Sequence, residues 1–228
     1  MSINYTVNRS RKRRKTISLQ VSSNSGLIVS APYFTPADEI DRFVREKQNW
    51  IQKALQKHRE DATKNKTREY VTGEHFFYLG QSYPLEVFFE PFEHAGVVFW
   101  NNRFHLNAQE NKSLKKHYFI SWYKKKAYDF IHQHVDFFSM MLKLQHGSLK
   151  ITSAERRWGS CSADDNLSFS FRLIMVPPDI IDYVIVHELM HIKEKNHSAA
   201  FWKLIEMVMP EYKIHRRWLK ENNHKFIL

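Results

Sequence analysis

The chain has 228 residues, 43% of them hydrophobic and 14% aromatic, which is enough apolar material for a sizeable core and excludes a disordered or fibrous protein. Thirty-five Lys and Arg against 24 Asp and Glu give a formal charge of +11, a field that draws in polyanions or acidic polypeptides. A single cysteine, Cys161, rules out an intrachain disulfide framework; no apolar run reaches a membrane span, and Met1 to Tyr5 lacks the hydrophobic stretch of a signal peptide, so the cytoplasm is the expected setting and no membrane partner is expected.

Ile3 to Asn8 and Thr16 to Val21 alternate with period two, and Asn24-Ser25-Gly26 turns the chain into Leu27 to Ser30, so a three-stranded antiparallel start is predicted. Between the first two strands lies the densest basic cluster, Arg9 to Lys15. Arg11 to Lys15 could contact nucleic acid or another polyanion by displacing phosphate counterions. The blander reading is a solvated hairpin turn, favoured because no aromatic residues interleave with the charges as base stacking requires. Thr35-Pro36-Ala37-Asp38 reads as a helix start, and Ile40, Phe43, Val44, Trp50, Ile51 and Leu55 carry the helical period to about His58. Arg59 to Arg68 is charged and aperiodic and reads as an exposed connection.

Residues 70–79, 83–89, 97–100 and 103–106 are short and rich in Phe and Tyr, and are expected to form antiparallel strands joined by tight turns, with the rings as core. A long helix follows over Ser113 to Leu144, and the boundary between a β-rich amino-terminal region (1–110) and a catalytic domain (111–228) is placed there. Ser148 to Ser153 reads as a strand, and Arg157 to Ser162 with Leu167 to Phe171 as a hairpin about Asp164-Asp165-Asn166. Pro177-Pro178-Asp179 opens a helix that is apolar nearly all round and therefore buried.

That helix carries Val186-His187-Glu188-Leu189-Met190-His191. A spacing of four sets His187 and His191 one turn apart on one face, where two imidazole nitrogens can share a cation at about 2.0–2.1 Å. Glu188, roughly 100° around the helix, borders the metal's open position. A catalytic zinc takes three protein ligands and leaves a fourth place for water. His197 is available as the third, with Asn196 suited to a left-handed turn that brings it back under the metal. Ser198 can cap a short helix ending at Met209-Pro210, and Glu211 to Lys220 forms the last helix.

Arg157-Trp158-Gly159-Ser160-Cys161-Ser162, Tyr183 to His191, Asn196-His197-Ser198 and Phe201-Trp202 resemble the YgjP-like family of zinc metallopeptidases, and Gly26-Leu27, Ala31-Pro32, Trp50-Ile51, Gly73-Glu74 and Tyr78-Leu79-Gly80 extend the likeness over essentially the whole chain. The resemblance implies an α+β fold of zincin type, related to SprT-like and WLM proteases, with the HExxH helix packed on a small antiparallel sheet whose edge strand holds substrate. It also implies one Zn²⁺ per chain on His187, His191 and His197, with Glu188 as general base. The ligand spacing is shared with metzincins, but Glu194 stands where those carry Gly, so that class is not assigned.

The expected function is therefore metal-assisted hydrolysis of a polypeptide. Substrate-binding candidates are Arg157, Trp158 and Gly159 in the predicted edge strand and Tyr212 and His215 on the last helix, where Arg216 is a further candidate for stabilising an oxyanion. Trp158 could equally be packing, and Cys161 could reach the zinc as a reversible fourth ligand. The rival from another class is a nucleic-acid-associated protein whose zinc is structural, or a protease recruited to DNA- or RNA-bound proteins through the basic cluster.

Overall fold

The computed structural model describes residues 4–22, 26–64, 68–91 and 94–228. It divides into two compact units, Met1–Lys66 and Thr67–Leu228.

In the first unit β1 (Tyr5–Ser10), β2 (Ser18–Ser22) and β3 (Gly26–Pro32) lie in the order β1-β3-β2. β2 pairs antiparallel with β3, whereas β1 runs parallel to β3 and does not touch β2. The all-antiparallel expectation is thus corrected, and with it the hairpin-turn reading of the basic cluster. The short link between β2 and β3 makes them neighbours, and of the two edges of that pair β1 takes the edge of β3. Arg11 to Ile17 then crosses two strand spacings, about 10 Å. Of the expected turn at 24–26, Asn24 and Ser25 lie outside the described residues, as does Ile3.

The single helix expected from Pro36 to His58 is two, α1 (Ala37–Glu46) and α2 (Gln48–Lys64), bent at Lys47. The bend keeps Ile51 on the same core as Ile40, Val44, Leu27, Val29 and Ala31. α2 also runs through most of the expected connection, in keeping with the helix-forming Arg59, Glu60, Ala62 and Lys64; residues 65–67 lie outside the described set.

The second unit begins with β4 (His75–Tyr78), β5 (Gln81–Phe88), β6 (Gly96–Trp100) and β7 (Arg103–Asn107), in the order β4-β5-β7-β6. Asn101 and Asn102, both at positive φ (48° and 56°), close the β6–β7 hairpin as a tight turn of mirror-image type. β7 rather than β6 then meets β5, in parallel, so this sheet is mixed and not antiparallel throughout. Residues 70–74, expected as strand, are instead a turn in which the Glu74 carboxylate accepts from the backbone N–H groups of Glu69 and Tyr70 (3.2 and 2.6 Å).

α3 (Lys112–Leu142) starts at Asn111, whose side chain accepts from Leu114 N–H at 3.0 Å, and ends at a left-handed Lys143. Its buried stripe of Phe119, Tyr123, Ala127, Ile131 and Val135 continues the core of the β4–β7 sheet, with the rings of Phe76 and Phe119 stacked at 4.2 Å. Because that core is shared, the packing divides the chain at Lys66 and not near residue 110.

β8 (Leu149–Thr152), β9 (Gly159–Cys161) and β10 (Leu167–Ser170) form a second small sheet in the order β8-β10-β9. The β9–β10 hairpin is antiparallel as expected, but β8 runs parallel to β10, so this sheet too is mixed. A buried 3-10 turn, Phe171–Met175, leads to α4 (Pro178–Met190), followed by α5 (Ala199–Val208) and α6 (Tyr212–Asn222). The tip of the β4–β5 hairpin is docked on this lead: Leu79 N–H donates to Ile174 O at 2.9 Å and Gly80 N–H to Met175 O at 3.0 Å. Among the described residues no helix is long and apolar enough to cross a membrane.

Candidate metal centre

α4 is buried on every side, from Ile180 and Ile181 through Tyr183 to Val186 and on to Met190, and packs against α3, β9, α5 and α6. Sequence dictates this, since only an apolar helix can be enclosed without unpaired polar groups. His187 sits in its last turn and His191 immediately follows it, with ring centroids 5.0 Å apart and nearly perpendicular. The chain then reverses through bonds from Lys193 and Glu194 N–H to Met190 O (3.1 and 3.0 Å). Asn196 is not at positive φ, so the expected left-handed turn is replaced by these helix-like closures. Ser198 caps α5 by accepting from Phe201 N–H at 3.2 Å, and His197 stands just before that cap.

The three histidines come together. His197 Nε2 lies 3.0 Å from His187 Nε2, and one ring nitrogen from each of His187, His191 and His197 lies within 4.8 Å of the others. For ligands about 2.0–2.1 Å from a tetrahedral zinc, nitrogen separations of about 3.4 Å are needed, so the cluster fits one ion. His191 Nδ1 donates to Glu194 O at 3.0 Å, which leaves its Nε2 lone pair free. Among the described residues His187 Nδ1 is buried without a hydrogen-bonding partner. Phe201 is the floor, its ring 4.5–5.0 Å from all three imidazoles, and Trp202 stacks on His197 at 5.6 Å.

Burial, helped by the charges of His191, His197 and Arg216, lowers the His187 pKa to about 3. His197 is lowered by the same kind of effect, burial first and then His191 and Arg216. Neutral imidazole is the form that ligates a metal. Burial pushes the Glu188 carboxyl up to about 8, against the charge of Arg157 and a hydrogen bond from the Cys161 backbone N–H. A divalent cation among the three rings would pull it down again.

The profile of the YgjP-like metallopeptidase domain matches residues 15–222. The chain belongs to the YgjP-like metallopeptidase family. Among solved structures it is similar to the metallopeptidase zymogen of Pyrococcus abyssi abylysin (20% identity, TM-score 0.37, 40% of this chain and 93% of that one). A second likeness is to the metallopeptidase zymogen of Methanocaldococcus jannaschii jannalysin (19%, TM-score 0.37, 40% and 94%). A search of curated proteins found no match.

In this YgjP-like chain the remaining candidates separate clearly. At Gly159 a Cβ would lie 2.6 Å from Glu188 Cγ, 2.7 Å from Oε1 and 2.9 Å from Cδ, so the close approach that requires glycine is made by Glu188. Arg157, two residues earlier, is exposed and its charge reaches Glu188. Trp158 is built into the packing, with the Arg172 guanidinium 4.8 Å over its ring and Phe226 at 6.2 Å. Tyr212 is buried and stacked on Trp202 at 5.4 Å, and His215 faces Asp179 at 3.6 Å. Arg216 is exposed, 4.6 Å over Trp202.

Cys161 is outside the cluster of ligand-capable groups. Its thiol, pushed up chiefly by burial, faces Lys195 Nζ at 3.8 Å and Ser162 O at 3.5 Å. Two supports escaped sequence reasoning. One is Phe201, read only as a helix's apolar residue. The other is the pair Ser170 and Arg172, which hold the loop before β9 by donating to Ala154 O (2.8 Å) and Glu155 O (2.5 Å). Nothing in the alternating strand pattern marks a distant loop as their partner.

Proposed function

We propose that this chain is a zinc-dependent peptidase that hydrolyses peptide bonds with one zinc on His187, His191 and His197 and with Glu188 as general base. What carries the reading is the convergence of three imidazoles beside a buried carboxylate in a member of a metallopeptidase family. Zinc, when bound, supplies a Lewis acid that lets water ionise near neutral pH. Glu188 takes the proton from the attacking water at a carboxylate oxygen and returns it to the leaving nitrogen. The Cys161 N–H and the bare Cα of Gly159 fix where that carboxylate points, and Arg157 favours its charged, basic form.

Of the three α6 candidates, Tyr212 is enclosed and His215 is turned to Asp179, which leaves Arg216 as the donor for developing negative charge; its charge is already felt at His187 and His197. A closed structural zinc needs four protein ligands, and among the described residues the cluster offers three, which favours the catalytic reading.

The test compares Glu188→Gln, Arg216→Gln and wild type for zinc content and for cleavage of an unfolded protein. One zinc per chain is expected in all three, with cleavage falling by about 10²–10⁴ for Glu188→Gln and about 10² for Arg216→Gln. Undiminished cleavage by the Glu188 variant would sink the proposal.

A further inference from the structure

Residues 1–66 hold 14 Lys and Arg against 6 Asp and Glu, +8 of the chain's +11. Arg9, Arg11, Lys12, Arg14 and Lys15 are exposed at the end of β1 and on the connection that follows it. Sequence argued against nucleic acid there for want of interleaved aromatic rings, and folding supplies them from elsewhere. The Arg9 guanidinium donates to Tyr33 O at 2.8 Å and Thr35 O at 2.6 Å, tying the turn between β3 and α1 to the basic segment. The Arg11 guanidinium lies 4.9 Å over the Tyr33 ring. Phe34 stands edge-on to Tyr33 at 5.2 Å and is 88% exposed, outside the core formed by Leu27, Val29, Ala31, Ile40, Val44 and Ile51.

Because β1 and β2 do not pair, these charges lie on a longer crossing segment and not on a tight hairpin turn. We propose that this surface binds single-stranded nucleic acid. Arg11, Lys12, Arg14 and Lys15 take the phosphates, and Phe34 with the Arg11-backed Tyr33 stacks on unpaired bases. The charges match any polyanion, so the rings decide the class: an acidic protein leaves Phe34 without a purpose, and a duplex hides the faces on which a ring could stack. The inference stands on the amino-terminal unit alone and is independent of the peptidase reading.

Fluorescence anisotropy of the full-length protein tests it, with a labelled oligothymidylate of about 20 nucleotides, a duplex of the same length, heparin as a polyanion without bases, and vesicles of phosphatidylcholine with phosphatidylserine. Phe34→Ala is expected to weaken oligothymidylate binding about tenfold or more and to leave heparin binding and the melting temperature unchanged. Replacing Arg11 and Arg14 together by Gln should lower the slope of log affinity against log salt by about 1.4. Glu188→Gln should bind as wild type does. Absence of oligothymidylate binding, an affinity indifferent to Phe34→Ala, an equal loss on heparin, or equal affinity for the duplex or the vesicles would each overturn the proposal.

Discussion

At the scale of single residues, the pairing of neutral histidines with a carboxyl that resists ionisation makes a pH prediction. In the metal-free protein Glu188 is raised from 4.5 to about 8 by burial. Below pH 4.5 neither the folded nor the unfolded chain carries its charge. Between 4.5 and 8 the unfolded chain gives up the proton while the folded one keeps it, so stability falls as pH rises, and the full penalty is present above 8. His187 works at the acid end: held neutral down to about 3, it costs the fold stability as pH drops from 6.5 toward 3. Glu188→Gln removes only the first slope. Urea unfolding of chelator-treated proteins should therefore find the variant's advantage over wild type larger at pH 8.5 than at pH 4.5, by on the order of a few kcal/mol. An advantage of the same size at both values would show that burial does not set this carboxyl. The HExxH spacing made His187, Glu188 and His191 legible in the sequence, because four residues per step on a helix is a local rule. Gly159 was legible as a place of close approach, but not the partner: Glu188 lies on a different element, and no local period relates the two.

Among elements, position depends on contacts that pair distant segments, which is where sequence reading stopped. Alternation identified most strands, yet it says nothing about which edge a strand takes, so β1 beside β3, β5 beside β7 and β8 beside β10, all parallel, were missed. The helices fared better, because caps and apolar period are local: Pro178 and Ser198 stand at the starts that the sequence indicated, and α3 begins at Lys112, one residue before the expected Ser113. The contact that seats α4 is the hairpin tip. Gly80 has φ +82°, and a Cβ there would lie 2.7 Å from Pro177 Cγ and 2.9 Å from Pro177 Cα, backbone that cannot yield without moving the start of α4. Gly73 is the control, since its φ of +90° is just as unfavourable to a side chain but nothing lies within 4 Å. Gly80→Ala is expected to cost roughly 2–4 kcal/mol and Gly73→Ala about 1–2 kcal/mol in denaturant unfolding. Equal losses would mean that the hairpin does not press on α4.

For the whole molecule, the division at Lys66 places all of the candidate metal chemistry in one unit and most of the net positive charge in the other. Composition announced a basic protein but could not say that the charge is segregated, because the boundary depends on which core the β4–β7 aromatics join. Among the described residues, six buried apolar residues of the first unit form a small core, whereas the second has a continuous one running from Tyr70 to Phe226. A core that small leaves little margin over conformational entropy, so the first unit should melt lower. Zinc held by the three histidines, as proposed, would bind only the folded second unit, and a ligand at a thousandfold excess over its Kd adds about 4 kcal/mol to the state that binds it. Calorimetry of the full chain should then resolve two transitions. Adding a chelator should lower the upper one, on the order of 10 °C for a unit of this size, and leave the lower one where it was. If chelation moved both transitions together, or if a single transition shifted as a whole, the two units would be melting as one, and the metal would be holding the basic unit folded as well as its own.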